Sequence, residues 1–184
     1  MDPIGFGRAA TRFLQNGGRL QIVTAGGIIA PEGGTIHILS VPVDESRVWK
    51  EVVEAGGPDT NTDWAIWEVG DQYPSTKGAA LHLQKIILVN FGKFMRSEDI
   101  LTWGKEQRLR PASPRACLAI SEFCRWLSKG LGLNYMAVVS LVPCTFKGRR
   151  HVVHGWFERS ERWANLSWFD DGWHEVYWFA LVRE

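Results

Sequence analysis

Residues 149–184 read RRHVVHGWFERSERWANLSWFDDGWHEVYWFALVRE. Short alternating runs at 150–157, 162–169 and 174–182 predict strands, and the brief connections between them suit antiparallel hairpins. Five of the chain's ten tryptophans fall here, and Trp163, Trp168, Trp173 and Trp178 recur every five residues. That spacing matches neither strand nor helix, so the four cannot share one face of one regular element. In the run 162–169, alternation sets Ala164, Leu166 and Trp168 on a core side. Trp163, Asn165, Ser167 and Phe169 then share the other side, a mixture of rings and hydrogen-bonding groups suited to a binding surface.

Upstream, the period changes from extended to helical. Residues 136–142 read as a further strand. Before it, Ser113-Pro114 opens a helix through a hydroxyl cap and a proline at the first helical position, carried on by Leu118, Ile120, Phe123, Trp126 and Leu127 until Gly130 and Gly132. Ser97-Glu98-Asp99 starts another helix, with carboxylates at the positive end of its dipole. Residues 81–91 and Thr35–Val43 predict strands, Pro42 marking an end or a sheet edge. Between them, Asp44 or Ser46 caps a helix to about residue 55, which Gly56-Gly57-Pro58 stops. Residues 57–78 read as a loop that tucks Trp64 and Trp67 inward. The first 34 residues are rich in glycine pairs, with a strand near 20–24. The fold class is therefore α+β, with helices preceding a C-terminal antiparallel β-sheet.

With 184 residues, the chain divides into an N-terminal portion, 1–95, and a C-terminal portion, 96–184, which can form one continuous domain. An apolar share of 45% with 22% charged residues predicts a folded protein. A net charge of +1 supplies no basic footprint for nucleic acid. Lys147, Arg149 and Arg150 read as a solvated turn. No apolar run reaches membrane-spanning length and no signal peptide is evident, so a cytoplasmic location is expected.

Few residues are placed for catalysis. Cys117, Cys124 and Cys144 contain no CxxC pair; Cys117 and Cys124, two helical turns apart, read as small apolar residues on one helix face. His151 and His154, three apart on a strand, point to opposite faces and read as polar surface positions, so no metal site is expected with Asp170, Asp171 or His174. Cys144 with a histidine, or a His/Asp metal site, is the alternative that would make a small enzyme. Phosphate-cradling glycine motifs are absent, and no cofactor is expected.

The segments SEDILTWGKEQRLRPASPRACLAISEF (97–123) and VSLVPCTFKGRRHVVHGWFERSERWANLSWFDDGWHEVYWFALVRE (139–184) resemble a family of uncharacterised bacterial proteins. Their ending is similar to the C-type lectin-like fold of the variable proteins of diversity-generating retroelements. In those systems, template adenines are copied with errors into the end of the target gene. The resemblance implies a stable scaffold carrying changeable residues on a ligand face. Tryptophan's codon holds no adenine, whereas Asn165, Ser167, Phe169, Asp170, Asp171, His174, Val176 and Tyr177 are all reachable from AAY codons. Glu158 and Glu175 depart from that pattern.

The expected function is thus a ligand-binding protein with a variable, aromatic-rich C-terminal surface, its partner an unknown protein or small ligand. The expected contacts are Trp156, Trp163, Asn165, Ser167, Phe169, Asp170, Asp171, His174, Glu175 and Tyr177, with Trp168, Trp173 and Trp178 as framework.

Overall fold

The computed structural model describes residues 28–60, 64–76, 78, 81–158 and 161–184. The strand expected near residues 20–24 lies outside them. Among the described residues five helices form: α1 (Trp49–Gly56), α2 (Ala65–Glu68), α3 (Ser97–Glu106), α4 (Pro114–Phe123) and α5 (Leu127–Gly130). The long strands are β1 (Thr35–Val43), β2 (His82–Asn90), β5 (Tyr135–Phe146), β6 (Arg149–Glu158), β7 (Glu161–Trp168) and β9 (Tyr177–Arg183). Short pairings add β3 (Met95–Arg96), β4 (Leu109–Pro111) and β8 (Gly172–Trp173).

Among the described residues the main sheet has the order β1-β2-β9-β5-β6-β7, with β4 also paired to β9; β3 and β8 pair separately. The architecture is α+β, and strands from both sides of residue 95 share the sheet. One expectation is corrected here. The terminal strands do not continue as a run of hairpins, because β9 leaves β7, runs parallel to β5 and pairs antiparallel with β2. The reason is local. Trp178, Phe179, Ala180, Leu181 and Val182 are consecutive and all buried. A strand apolar on both faces is stable only where both faces are covered, in the middle of the sheet.

Directly opposed residues share a face, so the register divides the sheet into a back and a front. The back carries Leu39, Val41, Ile86, Leu88, Val138, Phe157, Trp178 and Ala180, packed with Cys117, Ile120, Cys124 and Leu127 from the α4–α5 segment. Farther along, Val153 and Ala164 meet Val52 and Val53 of α1, Ile66 and Leu118. The front carries Ile36, Ile87, Val89, Val139, Phe179 and Leu181 under Ile100 of α3, Leu109 of β4, Phe169 and Trp173.

Local signals set most element ends. Ser113 Oγ accepts from the Ala116 amide at 3.1 Å and caps α4, with Pro114 following it. α4 ends at Phe123, with Cys124 as its cap, earlier than its apolar spacing predicts, and the chain re-enters helix as α5. The helix expected from Asp44 or Ser46 starts later, at Trp49. Asp44 Oδ1 instead accepts from the Ser46 amide at 2.9 Å and its hydroxyl at 2.6 Å, so these residues form their own turn. Gly57 stops α1 without a left-handed backbone, at φ −134°. It is required because a Cβ there would collide with the Ala164 backbone on β7.

The segment after α1 is also corrected. It forms α2 and a 3-10 turn, Gly70–Gln72, and buries Ile66, Val69 and Tyr73. Trp64 points outward, with the Lys147 ammonium 4.6 Å from its ring centroid. Pro42 lies within β1, on the sheet edge as expected.

Candidate functional site

The front of the β5–β6–β7–β9 region gathers five of the ten expected contact residues. Tyr177 pairs with Ala137, Ala137 with Trp156 and Trp156 with Trp163. These four form one lateral row across four strands. The next row is Phe179, Val139, His154 and Asn165, and Ser167 follows Asn165 on the same face of β7. Tyr135 and Glu158, directly opposed, lie on the other flank of the aromatic row.

Rings in and beside the row form a chain of contacts from Tyr135 to Trp173. Tyr135 stacks on Trp156 with centroids 6.0 Å apart and planes 16° from parallel. Trp156 and Tyr177 meet edge to face at 6.0 Å, and Tyr177 meets Trp173 likewise at 4.9 Å. Trp156, Trp163, Asn165, Ser167 and Tyr177 are half-buried, while Tyr135 is exposed. Rings held by neighbours yet open on one side offer contact area at little entropic cost.

His154 forms the floor. It is 5% exposed, its ring contacts Trp156 and Tyr177, and Nε2 lies 3.1 Å from Ser167 Oγ. Nδ1 is buried without a hydrogen-bond partner among the described residues. Burial pushes the imidazole down to about 4, so it is neutral near pH 7. Burial also holds the Tyr177 phenol up, with Asp171 adding to the effect.

The other expected contacts separate from this row. Phe169 is corrected to core: it is 2% exposed and packs with Trp173 and Phe179. Its carbonyl accepts from Ser97 Oγ, which in turn accepts from Trp173 Nε1 at 2.8 Å. These bonds fold the segment after β7 back over the front of the sheet. Asp170 pairs with Arg150, which also reaches Glu98 at 3.2 Å, near the start of β6 and away from the ring row. His174 is exposed against Phe94. Glu175 is exposed too, and its carbonyl accepts from Asn90 Nδ2 at 2.5 Å.

The framework set also divides. Trp173 and Trp178 are buried as framework, but Trp168 is 48% exposed, with the Arg149 guanidinium 4.8 Å from its ring. Sequence reasoning missed Tyr135, which joins the site because β5 begins one residue earlier than its apolar run.

His151 and His154 do sit on opposite faces, but both are buried and are not surface positions. Cys144 is buried, with Sγ 3.5 Å from the His151 carbonyl, while His151 Nδ1 lies 3.0 Å from the Arg149 carbonyl. Burial pushes the Cys144 thiol up, away from the thiolate. Among the described residues no group of three or more His, Cys, Asp and Glu is placed to hold a metal ion. None of the described helices is long and apolar enough to cross a membrane. The chain matches no family model, no curated protein and no solved structure.

Proposed function

We propose that this chain is a ligand-binding protein that presents the front of β5, β6, β7 and β9 to its partner, and that it is a variable protein of a diversity-generating retroelement with a C-type lectin-like scaffold. The observation that carries the binding reading is the lateral row Tyr177, Trp156 and Trp163, half-buried and bordered by Asn165 and Ser167. Aromatic rings anchor a ligand through buried area, and the amide and hydroxyl beside them set its orientation.

The division between open and buried positions supports the variable reading. Asn165, Ser167 and Tyr177 are reachable from adenine-rich codons and sit on the open face, whereas Trp173 and Trp178, whose codons lack adenine, are core. Phe169 is reachable but buried, so it belongs with the constant positions.

The test has two parts. DNA flanking the gene should hold an imperfect second copy of the final codons, differing at adenines, beside a reverse transcriptase. Randomising 165, 167 and 177 together should leave most members folded, with melting temperatures within about 5 °C of the parent, since surface changes cost little. A flanking region without such a copy would remove the retroelement from the proposal. Collapse of the library would remove the binding face as a changeable surface.

A further inference from the structure

We infer that the ligand of this face is an arginine-bearing segment of a partner protein, held between Glu158 and Glu161 with its guanidinium on the ring row. The inference rests on the binding face proposed above and deepens it by naming the chemistry of the occupant.

Glu158 and Glu161 are direct cross-strand partners at the end of the β6–β7 ladder, and both are exposed. Alternation from Trp156 and Trp163 puts both on the front, adjoining the aromatic row, with Tyr135 completing the same rank. Like charges placed directly opposite each other are destabilising in a sheet. Neither carboxylate forms an ion pair among the described residues. Asp171 and Glu175, toward the Tyr177 side, are exposed and also form no ion pair among them. The chain as a whole carries a net charge of +1, so this acidic rim is a local asymmetry.

A second observation is the ring surface beside the carboxylates. Tyr135, directly opposite Glu158, is exposed and stacks on Trp156, and Trp156 opposes Trp163 in the adjoining rank. His154 lies beneath, its ring against Trp156 and Tyr177. Two carboxylates beside stacked rings make this end of the face anionic and flanked by π-surfaces.

The chemistry selects among cations. Guanidinium is planar, stacks on indole and presents a fork of donors that matches carboxylates; a lysine ammonium is a strongly hydrated point charge. Polyanions such as nucleic acid or phosphopeptides meet repulsion from the same rim.

The probe is a fluorescein-labelled octapeptide of alternating glycine and arginine, with a citrulline version of the same length, measured by anisotropy on the full chain. The arginine peptide should bind at least tenfold more tightly than the citrulline peptide, and binding should weaken severalfold from 50 to 500 mM salt. The E158Q/E161Q double variant should lose tenfold or more and show an unchanged or higher melting temperature, since the opposed charges are gone. W156A should lose a similar factor. E54Q, on the exposed side of α1, should bind as the parent does. Equal affinity for the two peptides, or full binding by a folded E158Q/E161Q protein, would overturn the inference. A flanking adenine-differing codon copy together with no arginine-peptide binding would reject this occupant alone and leave the proposed binding face standing.

Discussion

His154 Nε2 lies 3.1 Å from Ser167 Oγ across the β6–β7 ladder, which ties a neutral, buried imidazole to a hydroxyl at the edge of the ring row. Folding depresses this histidine from its ordinary 6.5 to about 4. The unfolded chain therefore binds a proton more readily than the native one between those values. The stabilisation is complete above about pH 6.5, falls as pH drops through that window, and is lost below about 4. Urea unfolding midpoints should decline from pH 7.5 to pH 4.5, by an amount equivalent to about 3 kcal/mol at the limit. His154→Leu should flatten most of that slope, leaving a remainder from His37, which burial also depresses. An unchanged slope in the variant would assign the effect elsewhere.

Arg162 is a buried joint between the sheet and two helices. Its Nη1 donates to the Ser121 carbonyl at 2.7 Å and the Ala55 carbonyl at 3.3 Å, near the C-terminal ends of α4 and α1, where the helix dipole favours a cation. Its backbone amide donates to Asp59 Oδ2 at 2.7 Å. Arg162→Leu should cost about 2–4 kcal/mol, because buried carbonyls lose their charged donor. Arg162→Lys should recover only part, having lost the planar fork. Chemical denaturation of the two variants distinguishes these outcomes.

Gly57 and Gly132 offer a paired test of space against backbone angle. A Cβ at Gly57 would meet Ala164 and Thr60, whereas one at Gly132 meets nothing within 4 Å but must adopt φ +72°. Gly57→Ala should cost more than about 2 kcal/mol through displacement of α1 from β7. Gly132→Ala should cost about 1 kcal/mol, from left-handed strain alone. Thermal melts that rank them the other way would contradict the packing described.

Trp168 and Trp173 should differ sharply although they stand five residues apart. Trp173→Ala should cost about 3–5 kcal/mol as a large buried ring is removed. Trp168→Ala should cost under about 1 kcal/mol, since half of its surface is already in water. The comparison needs only melting temperatures.

Much of this molecule was legible in its residues. Ser113-Pro114 marks the start of α4, the alternation at 35–43 marks β1, and the runs after residue 149 mark β6 and β7. The placement of Trp163, Asn165 and Ser167 on one face of β7 followed from strand period, and the β6–β7 register adds Trp156 to it. Three features did not follow. Phe169 continues the alternation of β7 on paper, but the chain turns there and delivers the ring to the core. Trp168 falls on the core side of β7 but is half exposed there, with the Arg149 guanidinium over its ring. His151 and His154 read as surface residues because polarity alone says nothing of the neighbours that cover them. The position of β9 had a readable sign, the five-residue apolar run 178–182, which a one-sided hairpin strand does not need.

That central strand carries a consequence for how the molecule is made. Because β9 lies between β2 and β5, nascent β1–β2 and β5–β6–β7 emerge from the ribosome as two hairpin groups with a missing member between them. Neither can satisfy its inner edge until residues 177–183 arrive, so this later strand acts as a closing stitch. Folding dominated by so distant a pairing is slow, and exposed edges invite mispairing in the interval. Under the proposed diversification, the codons of Trp178, Phe179, Ala180, Leu181 and Val182 have to be spared, whatever changes around them.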